Sequence, residues 1–209
     1  MKNLKPKTLG QKNYLEAIIQ NQITFCLGPA GTGKTAIATR YAINELLAGK
    51  YEKLIIARPM VQAGEDTGFL PGDKNDKMTP YVIPIFDELK VFMDVKQLKV
   101  YLETEIIEIV PFAYMRGRSF HRCMVIADEC QNASKSQLKM ILTRIGFHTK
   151  MIINGDTSQC DLPLYQQGGL ELLANALATT EGIQTVILDK SDIVREPIVS
   201  RILEVVENL

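Results

Sequence analysis

The stretch Gly28-Pro29-Ala30-Gly31-Thr32-Gly33-Lys34-Thr35 satisfies G-x-x-x-x-G-K-[ST] at every position. An apolar segment, Ile23 to Leu27, runs into it and reads as a buried strand. Behind it, Ile37, Ala38, Tyr41, Ala42, Leu46 and Leu47 recur at helical spacing. Strand, glycine-rich turn and helix N-terminus are the context a phosphate-binding loop requires. The glycines let backbone N–H groups close around a phosphate, and the helix dipole adds to the attraction. In that reading Lys34 reaches the β- and γ-phosphates of a nucleoside triphosphate and the Thr35 hydroxyl holds Mg²⁺. A glycine-rich turn without a ligand is the competing explanation, and the full match with both flanks counts against it.

The remainder of the composition sets bounds. The chain has 209 residues, 46% apolar and 23% charged, an ordinary globular composition for one domain. Its 24 basic and 24 acidic residues cancel, so no overall positive field advertises nucleic acid, although a local basic patch stays open. Cys26, Cys123, Cys130 and Cys160 lack zinc-site spacing and read as buried reduced thiols. The N-terminus has no apolar leader, and no apolar run reaches about 18 residues. The expectation is a cytoplasmic protein with no membrane span.

Met1 to Lys7 reads as a loose basic arm, which leaves residues 8–209 as the folded domain. Thr8 followed by Gln11 fits a capping box on a helix running to about Gln20. Gln11 has a second use: a glutamine ahead of a phosphate loop can read an adenine edge with one donor and one acceptor. On local chemistry the cap is the plainer use. Lys53 to Ala57 predicts a strand that ends at Arg58-Pro59, where proline blocks further pairing. Arg58 then sits at the carboxyl edge of the sheet, which carries ligands in open parallel sheets. Residues 62–77 read as a long, shaped surface loop, Tyr81 to Phe92 as a helix with Pro84 in its first turn or kinking it, and Val95 to Thr104 as a short helix. After a strand at 106–110 comes Pro111-Phe-Ala-Tyr-Met-Arg116-Gly-Arg118-Ser-Phe120. Its two arginines suit phosphates, a neighbouring subunit's nucleotide, or solvent, and spacing alone does not choose.

Cys123-Met-Val-Ile-Ala-Asp128-Glu129 predicts a strand buried on both faces that delivers two acids to the ligand edge. Asp128 would accept Mg²⁺-bound water and Glu129 would polarise the water attacking the γ-phosphate. The bland alternative, a cap on the helix predicted from Ser134 to Ile145, loses weight because a phosphate loop needs a metal partner. The strand Lys150 to Asn154 leads into Gly155-Asp156-Thr-Ser-Gln159. Asp156 and Gln159 suit a γ-phosphate or attacking water, or else an Asx turn. A helix from Gly168 to Ala178, a strand at 183–188 and a last helix opened by Ser191-Asp-Ile-Val-Arg195 complete the chain.

Strands separated by helices or long crossovers predict a mostly parallel sheet of five or six strands flanked by helices. The fold class is therefore α/β, a P-loop NTPase with a single RecA-like domain, in which an additional strand separates the phosphate-loop strand from the acidic one. Glu129 as a base for water favours hydrolysis over transfer to a metabolite. An arginine must still close on the γ-phosphate. Arg195 supplies it within the chain, or a neighbouring subunit supplies Arg58, Arg116 or Arg118, which predicts a ring.

Several motifs occur in order: Arg58-Pro59, Gly68-Phe-Leu-Pro-Gly-Asp73, the Pro111–Phe120 run, Asp128-Glu129-Cys-Gln131-Asn132, and Gly155-Asp156-Thr-Ser-Gln159-Cys-Asp-Leu-Pro163. Together they resemble the PhoH-like proteins, phosphate-starvation-inducible ATP-binding proteins of bacteria that also occur in bacteriophages. The resemblance spans about residues 8 to 205 and implies a core similar to that of superfamily 1 helicases. It implies that Gln11 reads adenine, that Lys34 and Thr35 bind phosphate and metal, and that Asp128 and Glu129 are the Mg²⁺ and water-activating pair. It likewise implies γ-phosphate sensing by Gln131 and Gln159 and an activating role for Arg195. The cofactors implied are ATP and Mg²⁺, and the partners are other copies of the chain, in a ring of six, with single-stranded RNA or DNA as a candidate substrate. The chain departs from the pattern in lacking a PIN-type nuclease domain and a longer N-terminal extension, as a phage-encoded or minimal version would, and in having Cys130 where alanine is usual. The expected function is Mg²⁺-dependent ATP hydrolysis coupled to nucleic acid. The alternative is a nucleotide-dependent assembly or regulatory module without motor activity.

Overall fold

Strands that are apolar at every position leave neither face for water, so helices must cover both sides of the sheet they form. The computed structural model describes residues 5–60, 79–194, 198–199 and 202. Within them run α1 (Leu9–Gln20), β1 (Ile23–Leu27), α2 (Lys34–Leu47), β2 (Lys53–Arg58), α3 (Thr79–Phe92) and α4 (Val95–Glu103). These are followed by β3 (Ile107–Pro111), β4 (Cys123–Ala127), α5 (Lys135–Leu142), β5 (Lys150–Gly155), α6 (Gly169–Ala176) and β6 (Ile183–Ile187). The six strands form one sheet in the order β3-β2-β4-β5-β1-β6, and each neighbouring pair is parallel.

Alternate residues of each central strand feed two separate cores. Leu54, Ile56, Met124, Ile126 and Ile152 pack with α1 to α4, through residues such as Tyr14, Ile18, Ile43 and Leu89. Ile55, Ala57, Val125, Met151 and Ile153 pack on the other side with Leu138, Ile141, Leu170 and Ala174 of α5 and α6. The expected strand between the phosphate-loop strand and the acidic strand is β5. The strands that intervene in sequence, β2 and β3, lie beyond β4, so the return of the chain after α5 inserts the separator.

The ends of the elements have local causes. The Thr8 hydroxyl accepts from the N–H of Gln11 at 3.1 Å and starts α1. At the other end, the buried Lys150 ammonium donates to the carbonyls of Ile18, Ile19 and Asn21 and closes α1 against β5. That burial lowers the Lys150 pKa from its ordinary value. α3 begins at Thr79, ahead of the expected Tyr81, and α5 stops at Leu142, short of the expected Ile145. The Thr143 hydroxyl bonds back to the carbonyls of Lys139 and Met140 at this point. The loop at 62–77, Met1 to Leu4 of the expected arm and most of the expected last helix, including Arg195, lie outside the described residues. Among the described residues no helix is long and apolar enough to cross a membrane.

Candidate nucleotide site

The carboxyl ends of β1, β4 and β5 meet at a cleft of about 250 Å³. It is lined by Ala30, Gly31, Gly33, Lys34, Thr35, Ala36, Glu88, Asp128, Glu129, Gly155, Asp156 and Gln159. The loop from Gly28 to Thr35 leaves β1 under Leu188, whose carbonyl oxygen would lie 2.6 Å from a Cβ at position 28, so only glycine fits there. Gly33, at φ +81°, hands the chain to α2 without a side-chain cap. Side chains do cap α1, α4 and α5, through Thr8, Asp94 and Ser134. The first N–H groups of α2 thus have no capping side chain as acceptor, an arrangement that attracts an anion. Lys34 folds back over the loop and donates to the carbonyls of Gly28 at 2.5 Å and Pro29 at 2.9 Å.

β4 delivers Asp128, which is almost wholly buried. Its Oδ1 accepts from the Thr35 hydroxyl at 2.9 Å. Its Oδ2 accepts from Arg58 Nη2 at 2.6 Å and Nε at 3.1 Å. Glu129 is exposed and sits at φ +56°, a left-handed conformation that costs a non-glycine residue about 1 kcal/mol or more. Neither acid caps α5: Ser134 does so with a full capping box shared with Gln137. Gln131 links the two acidic turns, donating to Glu129 Oε2 at 2.7 Å and accepting from the N–H of Asp156 at 3.0 Å. Both bonds together determine the orientation of its amide.

Asp156 forms the Asx turn, its Oδ1 accepting from Ser158 N at 3.1 Å and Ser158 Oγ at 2.6 Å. It also does more, because Oδ2 accepts from the N–H of Ala30 at 2.8 Å and ties the phosphate loop to the tip of β5. Gln159 is exposed at the cleft. Gln11 Oε1 accepts from the N–H of Lys7 at 2.7 Å, so the returning half of the capping box reaches Lys7 rather than Thr8. Gln11 Nε2 donates to the carbonyl of Thr32 at 3.0 Å, which seats this glutamine beneath the phosphate loop.

Arg58 thus lies inside its own chain's site. Arg118 is held away from it in a two-pronged pair with Glu108, with bonds of 2.6 and 2.8 Å. Its hydrogen bonds pull the Glu108 carboxyl below its ordinary pKa. Arg116 is exposed. Val194, which precedes Arg195, donates its N–H to the carbonyl of Gly31 at 3.0 Å.

Two features carried no sequence signal. Glu88 of α3 reaches the cleft from a helix that bears no motif, and burial followed by the charge of Asp128 raises its pKa, offset in part by Arg40. Asp192, buried, accepts from the Thr8 hydroxyl at 2.5 Å and stands so close to Gly10 that any Cβ there would collide with its carboxylate.

The donor set suits a hard divalent cation. Among the described residues lining the cleft are the carboxylates of Glu88, Asp128, Glu129 and Asp156 with the ammonium of Lys34, and the Arg58 guanidinium offsets the charge of Asp128. A phosphate chain would add further negative charge. No group of three or more His, Cys, Asp or Glu among the described residues forms a metal site by itself. Mg²⁺ needs none, since it is commonly held by one or two carboxylates with substrate phosphates and water.

A parallel sheet with a strand between the phosphate-loop strand and the acidic strand, and a glycine-rich turn opening a helix at its edge, define a RecA-like P-loop NTPase domain. Residues 3–207 match the family described as PhoH-like protein, and the chain belongs to that family. It is 45% identical over 204 residues to a PhoH-like protein of Synechocystis sp., covering 98% of this chain and 62% of that protein. A PhoH-like protein of Bacillus subtilis is also 45% identical, over 203 residues, covering 97% of this chain and 64% of that protein. The chain therefore spans less than two thirds of the length of these relatives. Among solved structures, the large terminase of a thermophilic bacteriophage shares the fold at a TM-score of 0.60 and 11% identity, covering 95% of this chain and 50% of the terminase.

Proposed function

We propose that this chain hydrolyses ATP with Mg²⁺ in the cleft at the carboxyl edge of the sheet. The observation that carries the reading is the convergence of the uncapped α2 N-terminus and Lys34 with Asp128 and Glu129 across β5. Lys34 exchanges its loop carbonyls for β- and γ-phosphate oxygens. Glu129, oriented by Gln131, takes the proton of the attacking water. Gln159 contacts the γ-phosphate, and Gln131 passes its state to Asp156 and so to the loop. Thr35 and Asp128 would hold Mg²⁺, which neutralises charge on the phosphate oxygens when bound. Gln11, seated beneath the loop by its bond to the Thr32 carbonyl, reads the adenine.

The activating arginine is Arg195 in the chain, supported by the bond from its neighbour Val194 to Gly31, or Arg116 from an adjoining copy. The second arrangement suits a ring of six in the cytoplasm, with single-stranded RNA or DNA held near the Pro111–Phe120 turn. Steady-state ATP hydrolysis of the wild type and of Lys34→Ala and Glu129→Gln variants tests the reading, with and without each polymer. Lys34→Ala abolishes hydrolysis, and Glu129→Gln keeps ATP bound while turnover falls about 100-fold or more. Undiminished turnover in Glu129→Gln refutes the assignment of the base. Stimulation by one polymer supports the coupling, whereas activity that rises only with protein concentration replaces it with nucleotide-driven assembly.

A further inference from the structure

Asp128 divides its carboxylate between two partners. Oδ1 accepts the Thr35 hydroxyl at 2.9 Å, while Oδ2 alone takes both Nη2 and Nε of Arg58, at 2.6 and 3.1 Å. A guanidinium that braces a carboxylate commonly spreads its fork over both oxygens. Arg118 does so on Glu108, with Nη1 on Oε1 and Nη2 on Oε2. Arg58 converges on one atom and leaves the other to the hydroxyl that opens α2. If Thr35 and Asp128 act together on a metal, Oδ2 is the oxygen left to meet its hydration shell.

We infer that Arg58 is a placeholder cation: its guanidinium occupies Oδ2 of Asp128 in the nucleotide-free protein and is displaced when Mg²⁺ and nucleotide enter. The inference rests on the Mg²⁺–ATP reading of the cleft and adds a linkage to it, because metal binding and the Arg58–Asp128 pair exclude each other. The Asp128 side chain is 2% exposed and that of Arg58 is 16% exposed, so two cations at one oxygen would repel with little screening. Arg58 meanwhile spares Asp128 from being a buried carboxylate with no cation, which is strongly unfavourable. The backbone does not take up the exchange. Asp128 N–H is bonded to the carbonyl of Ala57 at 2.9 Å, and Ala57 pairs with Ala127 across β2 and β4. Displacement is therefore a rotation of the Arg58 side chain, and the metal requirement of the site is partly the requirement to move it.

Mg²⁺ titration of fluorescent ADP binding tests this in the wild type, Arg58→Gln, Asp128→Asn and the double variant. Glutamine keeps an N–H donor for Oδ2 and removes the charge. The Mg²⁺ concentration for half-maximal binding falls on the order of tenfold in Arg58→Gln, while ADP affinity in EDTA changes by less than about twofold. In the Asp128→Asn background the Arg58 substitution has no further effect. Equal Mg²⁺ midpoints in wild type and Arg58→Gln overturn the inference. If Arg58→Gln fails to fold, the Arg58 Nε–H resonance of the wild type gives the answer. It is protected from exchange without ligand, unchanged by ADP in EDTA, and shifted and exchanging with Mg²⁺ and ADP. ADP bound with Mg²⁺ over an unmoved Arg58 overturns the placeholder alone. No ADP binding at any Mg²⁺ concentration overturns the nucleotide reading beneath it.

Discussion

Replacing Asp156 with asparagine changes one oxygen to nitrogen, yet the structure predicts a substantial loss. Asp156 is 5% exposed, and its carboxylate accepts on both sides, from the Ala30 N–H on Oδ2 and from the Ser158 N–H and hydroxyl on Oδ1. An amide has one acceptor oxygen and one NH₂ donor. Whichever way it turns, its NH₂ confronts a backbone N–H, that of Ala30 or that of Ser158. The Ser158 hydroxyl can rotate and accept; a backbone N–H cannot. At least one charge-assisted hydrogen bond is lost, worth about 1.5–3 kcal/mol. For a domain of this size, about 2 kcal/mol corresponds to a melting midpoint lower by about 4–8 °C. If the NH₂ faces Ala30, the phosphate loop is untied from β5 and nucleotide affinity falls as well. Thermal denaturation of wild type, Asp156→Asn and Asp156→Ala, with and without nucleotide, measures both effects. Asp156→Asn falls between the other two without ligand. A midpoint within about 1 °C of wild type for Asp156→Asn would refute the two-sided acceptor argument.

Two other perturbations probe the supporting structure. Burial and the charge of Asp128 raise the Glu88 pKa above 4.5, so protonated Glu88 favours the fold below about pH 4.5 and that contribution is lost as pH rises through the elevated folded value. Glu88→Gln consequently stabilises the nucleotide-free protein at neutral pH and not below pH 4.5; a difference in urea midpoint that is constant with pH would count against this. Tyr14 donates its hydroxyl to Asn154 Oδ1 at 2.6 Å with both residues fully buried, while Asn154 Nδ2 has no partner among the described residues. Tyr14→Phe and Asn154→Leu each cost about 1–3 kcal/mol by orphaning the other's polar atom, but the double variant costs far less than their sum. Additive melting shifts would show that the bond is not what the pair contributes.

The phosphate loop, the strands themselves and the helices that cover both faces of the sheet were legible because each rests on a short-range pattern. Residues 28–35 carry a turn that only glycines admit, as the close approach of Leu188 to Gly28 and the positive φ of Gly33 show. The apolar runs of β2, β4 and β5 announced burial on both faces. Where two local explanations competed, packing decided between them or kept both. Ser134 takes the cap of α5 and frees Asp128 and Glu129, while Asp156 makes both the Asx turn and the tie to Ala30.

By itself, then, the sequence determined which residue types reach the carboxyl edge of the sheet, since strand period and turn chemistry act over a few residues. Tertiary structure alone decided what those residues touch. Glu88 meets Asp128 across α3 and β4, Arg58 turns onto its own chain's Asp128 rather than outward, and Asp192 presses on Gly10 from far along the chain. Such contacts depend on helix rotation and on the order of strands in the sheet, which no local window of sequence contains.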